Sequence, residues 1–283
     1  MSRKAVFVLM GQSNAVGHAL PMQEKDKILT PMKNVYGLHR DHNQSLDVKE
    51  LTWSGYTSGG MNLGETQDHT YSLANCLAAY WQEHIDLGNA RNLPDLYIVQ
   101  IAIGAEGVTK QYMWHPDRAP VLIPGKLGTV NISLFPFAMH ILSLVKESLG
   151  DCDFVGVHWR GGEQDISAIQ EDPTIQLEPI YTTMIEGFNK ALNNPPMVLH
   201  KIVAKDRMAL DETGVKLQIM ADINEMFDDF TRKYEKISTF DVRTFPGYDP
   251  TVPGEGLFMA DHVHFTVEAN KWVAKEIFDC YTP

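Results

Sequence analysis

The sequence predicts an α/β fold: a three-layer α/β/α sandwich with a central parallel sheet. Short, nearly continuous apolar runs rich in β-branched residues alternate with longer segments of helical spacing, as this fold requires. The runs expected as strands are Ala5 to Met10, Leu96 to Ile103, Phe154 to Trp159 and Met197 to Val203. The segments expected as helices are Tyr71 to His84, Pro136 to Ser148, Ile180 to Leu192, Val215 to Tyr234 and Val267 to Phe278, the last capped by Thr266.

No linker-like stretch divides the 283 residues, so we expect a single domain over residues 1–283. Two long stretches, Pro21 to Gly64 and Val108 to Asn131, are rich in Gly, Pro, His and Trp and give no clear strand or helix pattern. Long loops inside a compact domain usually wall a binding site. We therefore expect both stretches to border the functional site.

The composition narrows the possible partners and the compartment. A formal net charge of -12 repels nucleic acids and anionic membrane surfaces, so neither is an expected partner, and a small neutral substrate is compatible with it. No apolar segment has the length of a membrane span, and the first apolar run is too short for a signal peptide. The three widely spaced cysteines suit free thiols, so a cytoplasmic protein is expected. The sequence carries no signal for an oligomeric state.

Ser13 lies in the segment GQSNAVG, directly after the first predicted strand. The carboxyl ends of parallel strands form the ligand-binding edge of such a sheet, which makes Ser13 a candidate nucleophile. A P-loop is excluded because no Lys-Ser/Thr pair follows the second glycine. The G-x-S-x-G elbow is excluded because Ala15 stands at its second glycine. A glycine-rich turn with a capping serine is the structural alternative.

A second segment, ADHVHFT, precedes the last predicted helix. A serine nucleophile needs a histidine base that is oriented by a carboxylate, and Asp261 lies three residues before His264. His262 is adjacent to Asp261, and adjacent side chains usually diverge, so we favour His264 as the base. Metal binding by the Asp-His-x-His pattern is the alternative. A third segment, HWRGGEQD, ends the predicted strand at Trp159 and places two glycines and two carboxylates at the same edge.

Together these segments resemble motifs of the SGNH hydrolase superfamily, in particular of sialate O-acetylesterases and the acetyl xylan esterases of carbohydrate esterase family six. GQSNAVG resembles the opening GQSN-M-x-G, HWRGGEQD the W-x-Q-G-E-x-D block, and DHVHFT the D-x-x-H ending. IAIGAEGVTKQYMW resembles the apolar-G-G-T-x-x-x-x-W strand and loop, and NLGETQ fits the block that contributes a glycine to the oxyanion hole. The matches run in the family's order from residue 6 to residue 266.

The resemblance implies a flavodoxin-like fold, no catalytic metal and no cofactor. It implies Ser13 as nucleophile, with Asp261 and His264 completing a triad, and the N–H groups of Ser13 and Gly64 as oxyanion donors. We expect the residues that bind the oxyanion or the substrate to be Gln12, Asn14, Gly64, Gly161, Gly162 and Glu163.

The sequence departs from the family pattern beside the predicted site. Gly161 stands where the family has a Gln or Asn whose amide is expected to donate to the oxyanion. Ala105 and Glu106 replace the second glycine and the threonine of the G-G-T loop. We expect an N–H group of Gly161 or Gly162 to replace the missing amide, because two glycines let the backbone approach closely. The alternatives are the side chains of Arg160 and Gln164.

The expected function is removal of O-acetyl groups from a carbohydrate of the acetyl xylan or O-acetyl sialic acid type, through an acetyl-enzyme. Aromatic side chains of the two long stretches are candidates for stacking on sugar rings, although core packing is their more common role: Trp53, Tyr56, Tyr112 and Trp114. Three alternatives stay open. They are a short-chain lipase or thioesterase of the same superfamily, a carbohydrate-binding protein on an inactive esterase scaffold, and a metal-dependent hydrolase built on Asp261, His262 and His264.

Overall fold

The computed structural model describes residues 3–18, 20, 22–66, 69–125, 128–203, 214–246, 248 and 263–282, with only the backbone described for most of the hairpin at 121–132. The strands are β1 (Lys4–Gly11), β2 (Val35–Leu38), β3 (Trp53–Gly55), β4 (Asp95–Ala102), β5 (Val121–Gly125), β6 (Gly128–Ile132), β7 (Asp153–Arg160), β8 (Met197–His200) and β9 (Ile237–Phe240). The α-helices are α1 (Ser13–Val16), α2 (Arg40–Asn43), α3 (Leu73–Asp86), α4 (Leu134–Leu149), α5 (Glu163–Glu171), α6 (Leu177–Leu192), α7 (Val215–Lys233) and α8 (Val267–Cys280).

Seven of these strands form one mostly parallel sheet, in the order β3-β2-β4-β1-β7-β8-β9. Every neighbouring pair is parallel except β2 and β3, which are antiparallel. The remaining strands, β5 and β6, form a separate hairpin. The predicted α/β class with a central parallel sheet is therefore confirmed. Because β1 is the middle strand, the segment that follows it starts at the centre of the carboxyl edge.

The sequence of β1 explains its central place. All six residues from Ala5 to Met10 are fully buried, and they alternate between two apolar clusters on opposite faces of the sheet. Val6, Val8 and Met10 join the cluster formed with α4, α6 and α7. The intervening residues of β1 join the cluster formed with α3 and α8. Helices thus cover both faces, which gives the three layers, and each large buried side chain stabilises the fold by about 1.5–3 kcal/mol.

The five predicted helices form within three residues of their expected ends. Thr266 caps α8, because its side-chain oxygen accepts a hydrogen bond from the N–H of Ala269 at 3.2 Å. The three cysteines are free thiols. None of the helices that the structure describes is both long and apolar enough to span a membrane.

The structure corrects the prediction for the two long stretches. Residues 21–64 contain β2, α2 and β3, so this stretch adds two strands to the sheet, and residues 108–131 contain most of the β5–β6 hairpin. These strands and β9 are three to five residues long, too short for a recognisable periodicity. The strand predicted to reach Val203 ends at His200.

Candidate active site

A cavity of about 790 Å³ opens at the carboxyl edge of the sheet, where parallel sheets usually bind ligands. Both chain ends contribute to it, since residues that follow β1 and residues that precede α8 meet there. The described residues that line it are Gln12, Ser13, His18, Glu65, Gly104, Ala105, Glu163, Gln164, Ile166, Ser167, Lys216, Val263 and His264. A second cavity, of about 700 Å³, lies between β7, β8, β9 and the end of α8, away from Ser13.

Ser13 reaches this cavity through a tight turn at the end of β1. Gly11 has a φ of +137°, and a Cβ there would lie 2.0 Å from the main-chain oxygen of Arg160, so only glycine fits. The indole N–H of Trp114 donates to the oxygen of Gly11 at 3.1 Å and fixes the turn from the other side. The helix that Ser13 begins is a single turn ending at Val16, so its dipole is weak.

The side chain of Asn14 ties the Ser13 turn to the segment that carries His264. Its Nδ2 donates to the main-chain oxygen of Val263 at 3.2 Å, and its Oδ1 accepts from the N–H of Phe265 at 3.2 Å. The same Nδ2 donates to Glu163 Oε1 at 2.9 Å. The side chain is buried, and its polar atoms hold the backbone on both sides of His264, while its predicted part in binding the oxyanion or the substrate stays a prediction.

The side chain of Arg160 contacts both segments that Asn14 joins. Its guanidinium is buried, donates to the main-chain oxygen of Asn14 at 3.2 Å and to Asn270 Oδ1 at 2.7 Å, and lies 4.6 Å from the ring centre of Phe265. Burial lowers the pKa of Arg160 to about 10, although nearby Glu163 opposes the shift, so the group is charged at neutral pH. Arg160 is not among the described residues that line the cavity.

Gln12 lines the cavity beside Ser13 and is almost fully buried. Its Oε1 accepts a hydrogen bond from the main-chain N–H of Gln164 at 3.3 Å, which fixes which end of the amide is the oxygen. Its Nε2 is therefore the end that lies away from Gln164. The side chain of Gln164 donates instead to the Tyr112 hydroxyl at 2.8 Å.

The two carboxylates of the third motif have different positions. Glu163 lines the cavity, with Oε1 bonded to Asn14 and Oε2 buried without a hydrogen-bond partner. Asp165 is fully buried, and its Oδ1 accepts from the N–H groups of Val108 at 2.9 Å and Thr109 at 3.0 Å. Burial raises the pKa of Asp165 to about 7, against the effect of these donors. Asp165 therefore anchors the loop after β4 and does not itself line the cavity.

The three glycines predicted for the oxyanion hole are closely packed, and their part in that hole stays a prediction. The N–H of Gly64 donates to Asn62 Oδ1 at 3.0 Å, and a Cβ there would lie 2.2 Å from the oxygen of Ala102. Gly162 has a φ of +126°, and a Cβ at Gly161 would lie 3.0 Å from the Trp159 ring. None of the three is among the residues that line the cavity.

The cavity also contains features that sequence reasoning missed. Ala105 has a φ of +58°, a left-handed conformation that costs about 1–2 kcal/mol for a residue with a Cβ. Its neighbours His18 and Glu65 form an ion pair, with Nε2 and Oε1 2.5 Å apart. Of these three residues, only Ala105 could be singled out from the sequence, because it stands where the family pattern has glycine. His18 follows the GQSNAVG segment and Glu65 lies in NLGETQ, and no spacing links the two.

Other predicted residues lie away from the cavity or outside the described part of the chain. Asp261 and His262 are outside the described residues, so the carboxylate of the triad and the metal alternative stay predictions. No group of three His, Cys, Asp or Glu side chains in the described ranges could hold a metal ion. None of the four proposed sugar-stacking aromatics lines the cavity; two are fully buried, namely Tyr56 and Trp114.

No protein-family model matches the sequence, and neither does any curated protein. Solved structures nevertheless share its fold. NanS superposes with a TM-score of 0.59 at 14% identity, over 98% of this chain and 97% of that one. A lipase from a goat rumen metagenome gives 0.51 at 9% identity, over 99% and 98% of the two chains. A carbohydrate acetylesterase from Xanthomonas citri gives 0.50 at 12% identity, over 96% of this chain but 54% of that one. The chain therefore shares its fold with these solved structures, in agreement with the predicted fold class.

Proposed function

We propose that this protein is a serine esterase that removes O-acetyl groups from a carbohydrate. The observation that carries the proposal is that Ser13 and His264, from opposite ends of the chain, line one cavity at the carboxyl edge of the sheet. A serine and a histidine in one cavity are what acyl transfer requires, and the sequence places Asp261 three residues before this histidine. The fold and the structural neighbours named as esterase and lipase support the same reaction class.

In the proposed reaction Ser13 Oγ attacks the acetyl carbonyl carbon while His264 takes the hydroxyl proton. The tetrahedral intermediate collapses, the bond to the sugar oxygen breaks, and His264 returns the proton to that oxygen. Water then attacks the acetyl-enzyme in the same way and releases acetate. Asp261 is proposed to orient His264 and to stabilise the imidazolium that forms twice in each cycle.

We propose the Ser13 N–H and the Gln12 amide as oxyanion donors. Gln12 lines the cavity beside the nucleophile, and its Oε1 is held by Gln164, so Nε2 is the end of the amide available to the oxyanion. It would replace the amide that the related motif has at the position of Gly161. Each donor of this kind contributes about 3–4 kcal/mol to lowering the barrier.

Turnover of p-nitrophenyl acetate, butyrate and octanoate, with and without a chelator, tests the reaction class. We expect the acetate to react fastest, the octanoate hardly at all, and the chelator to have no effect. Rates that rise with chain length would favour the lipase alternative, and loss of activity with chelator would favour the metal alternative.

Ser13→Ala is the matched variant for that assay. It removes a small hydroxyl, so we expect an unchanged melting temperature and a turnover at least about a thousandfold lower. A variant that keeps more than about a hundredth of the activity would exclude Ser13 as the nucleophile. Acetylated xylooligosaccharides and O-acetyl sialic acid then distinguish the two sugar classes.

A further inference from the structure

His18 and Glu65 form a hydrogen-bonded pair on the wall of the cavity that the proposed reaction does not use. The two side chains meet through His18 Nε2 and Glu65 Oε1, 2.5 Å apart, and both line the cavity with Ser13 and His264. The ring centres of His18 and His264 are 6.3 Å apart. A second imidazole therefore lies beside the proposed base, with room for part of a substrate near both rings.

The pair is built into the backbone around it. The second carboxylate oxygen of Glu65 accepts the N–H of Gly104 at 2.9 Å, so both oxygens of Glu65 are engaged. A Cβ at Gly104 would lie 2.7 Å from His18 Nε2, so the glycine leaves space for the ring. The N–H of His18 donates to the main-chain oxygen of Ser13 at 3.0 Å, which fixes the start of the side chain relative to the nucleophile. The contact with Glu65, the space at Gly104 and the backbone hydrogen bond to Ser13 together fix the orientation of the His18 ring.

The charge state of His18 suits a donor to oxygen. The hydrogen bond to Glu65 raises the pKa of His18 above its ordinary value, against the effect of burial. Nε2 contacts Glu65, so Nδ1 is the ring nitrogen that a ligand would meet, and the side chain is 42% exposed. Among the described residues of the cavity wall, the other titratable or charged side chains are Glu163, Lys216 and His264.

The chemistry of the proposed reaction places the leaving sugar next to His18. His264 must come within hydrogen-bond distance of the leaving oxygen to protonate it, so the sugar atoms attached to that oxygen lie close to the His264 ring. At 6.3 Å between ring centres, the neighbouring hydroxyl of the sugar is within reach of His18. On the basis of the proposed esterase function, we propose that His18, held by Glu65, binds the sugar hydroxyl next to the scissile ester and selects for a carbohydrate leaving group.

The test compares esters that share an acetyl group and differ in the leaving group. One is p-nitrophenyl acetate, and the other is whichever of acetylated xylooligosaccharide and O-acetyl sialic acid the unmodified protein hydrolyses faster. For His18→Ala we expect kcat/KM to fall about tenfold or more on the sugar ester and less than about twofold on p-nitrophenyl acetate. Glu65→Gln should cause a smaller fall in kcat/KM that is again selective for the sugar ester. His18→Gln should retain part of the kcat/KM on the sugar ester that His18→Ala loses.

His140→Ala is the control, because His140 bonds the Val48 oxygen and does not line the cavity. Equal losses on both esters, or no loss on either, would overturn the assignment of His18 to the leaving-group side. Turnover of neither ester by the unmodified protein would overturn the esterase function itself, and turnover of p-nitrophenyl acetate alone would overturn the carbohydrate leaving group.

Discussion

The side-chain amide of Asn14 donates a hydrogen bond to the main-chain oxygen of Val263, 3.2 Å away. Its carbonyl oxygen accepts the N–H of Phe265 at the same distance, so one side chain holds the residues on both sides of His264. The residue next to the proposed nucleophile thereby sets the position of the proposed base.

Asn14→Ala should lower kcat about tenfold to a hundredfold, because a displacement of about 1 Å in a catalytic group is enough for such a loss. Asn224→Ala is a matched control: Asn224 is also buried, and its side chain accepts from the N–H of Ile202 at 2.8 Å and donates to the main-chain oxygen of Ile202 at 2.9 Å. Each variant should lose about 1–3 kcal/mol of unfolding free energy. If kcat per folded molecule fell equally in both, Asn14 would have only a structural role.

His264→Ala should be far more damaging than His262→Ala. His264 lines the cavity with Ser13, and its backbone on either side is held by Asn14. We expect a loss of about three orders of magnitude or more for the first variant and less than tenfold for the second. The measurement is p-nitrophenyl acetate turnover in single-turnover and steady-state experiments. Comparable losses, accompanied by sensitivity to chelator, would support the metal alternative.

Gln12→Ala should reduce kcat about a hundredfold with little change in KM, because an oxyanion donor acts mainly in the transition state. Gln164→Ala serves as the control. Gln164 also lines the cavity, but its side chain bonds the Tyr112 hydroxyl, and its main-chain N–H survives the substitution. A loss in the control as large as in Gln12→Ala would assign the oxyanion contact to Gln164.

Asp165→Asn should change how stability depends on pH. The pKa of Asp165 is raised from 3.8 to about 7 by burial, so the folded protein keeps this proton to a higher pH than the unfolded chain does. The unfolding free energy should therefore fall as pH rises from about 4 to about 7, by an amount on the order of a few kcal/mol. Asparagine keeps an acceptor for Val108 and Thr109 without titrating.

The melting temperatures of wild type and Asp165→Asn, measured from pH 4.5 to 8, check this prediction. The melting temperature of the variant should increase steadily relative to that of the wild type as pH rises. A constant difference between the two proteins over the whole range would mean that the Asp165 carboxyl is not a source of the pH dependence.

The central part of the fold could be predicted because its signals are long. The strands β1, β4 and β7 are each eight residues long and bury between five and seven of those residues, and the neighbouring helices repeat apolar residues over three to five turns. The strands β2, β3 and β9 have three or four residues, and pairing with neighbours decides their structure. Local sequence contains no record of that pairing.

The site could be predicted only in part, for a related reason. Motif order brought Ser13 and His264 to one edge of the sheet, and both line the cavity. The hydrogen bonds of the Asn14 side chain join it to a segment some 250 positions further along the chain, and local spacing does not reveal such a contact. The pair of glycines at 161 and 162 is typical of a backbone that approaches a ligand closely. In the structure the nearest groups to their Cβ positions are side chains of the protein itself, Trp159 and Ile202.

The meeting of the two chain ends at Asn14 also bears on when activity can arise. The turn at Ser13 belongs to the first strand, whereas the segment at His264 leads into α8, which packs against α3. Contacts between such distant segments carry a large loop-closure entropy and tend to form late in folding. A folding intermediate in which α8 has not yet docked would therefore contain the proposed nucleophile without the proposed base. The rate at which turnover recovers during refolding would then report the rate at which α8 docks, and no spectroscopic label would be needed.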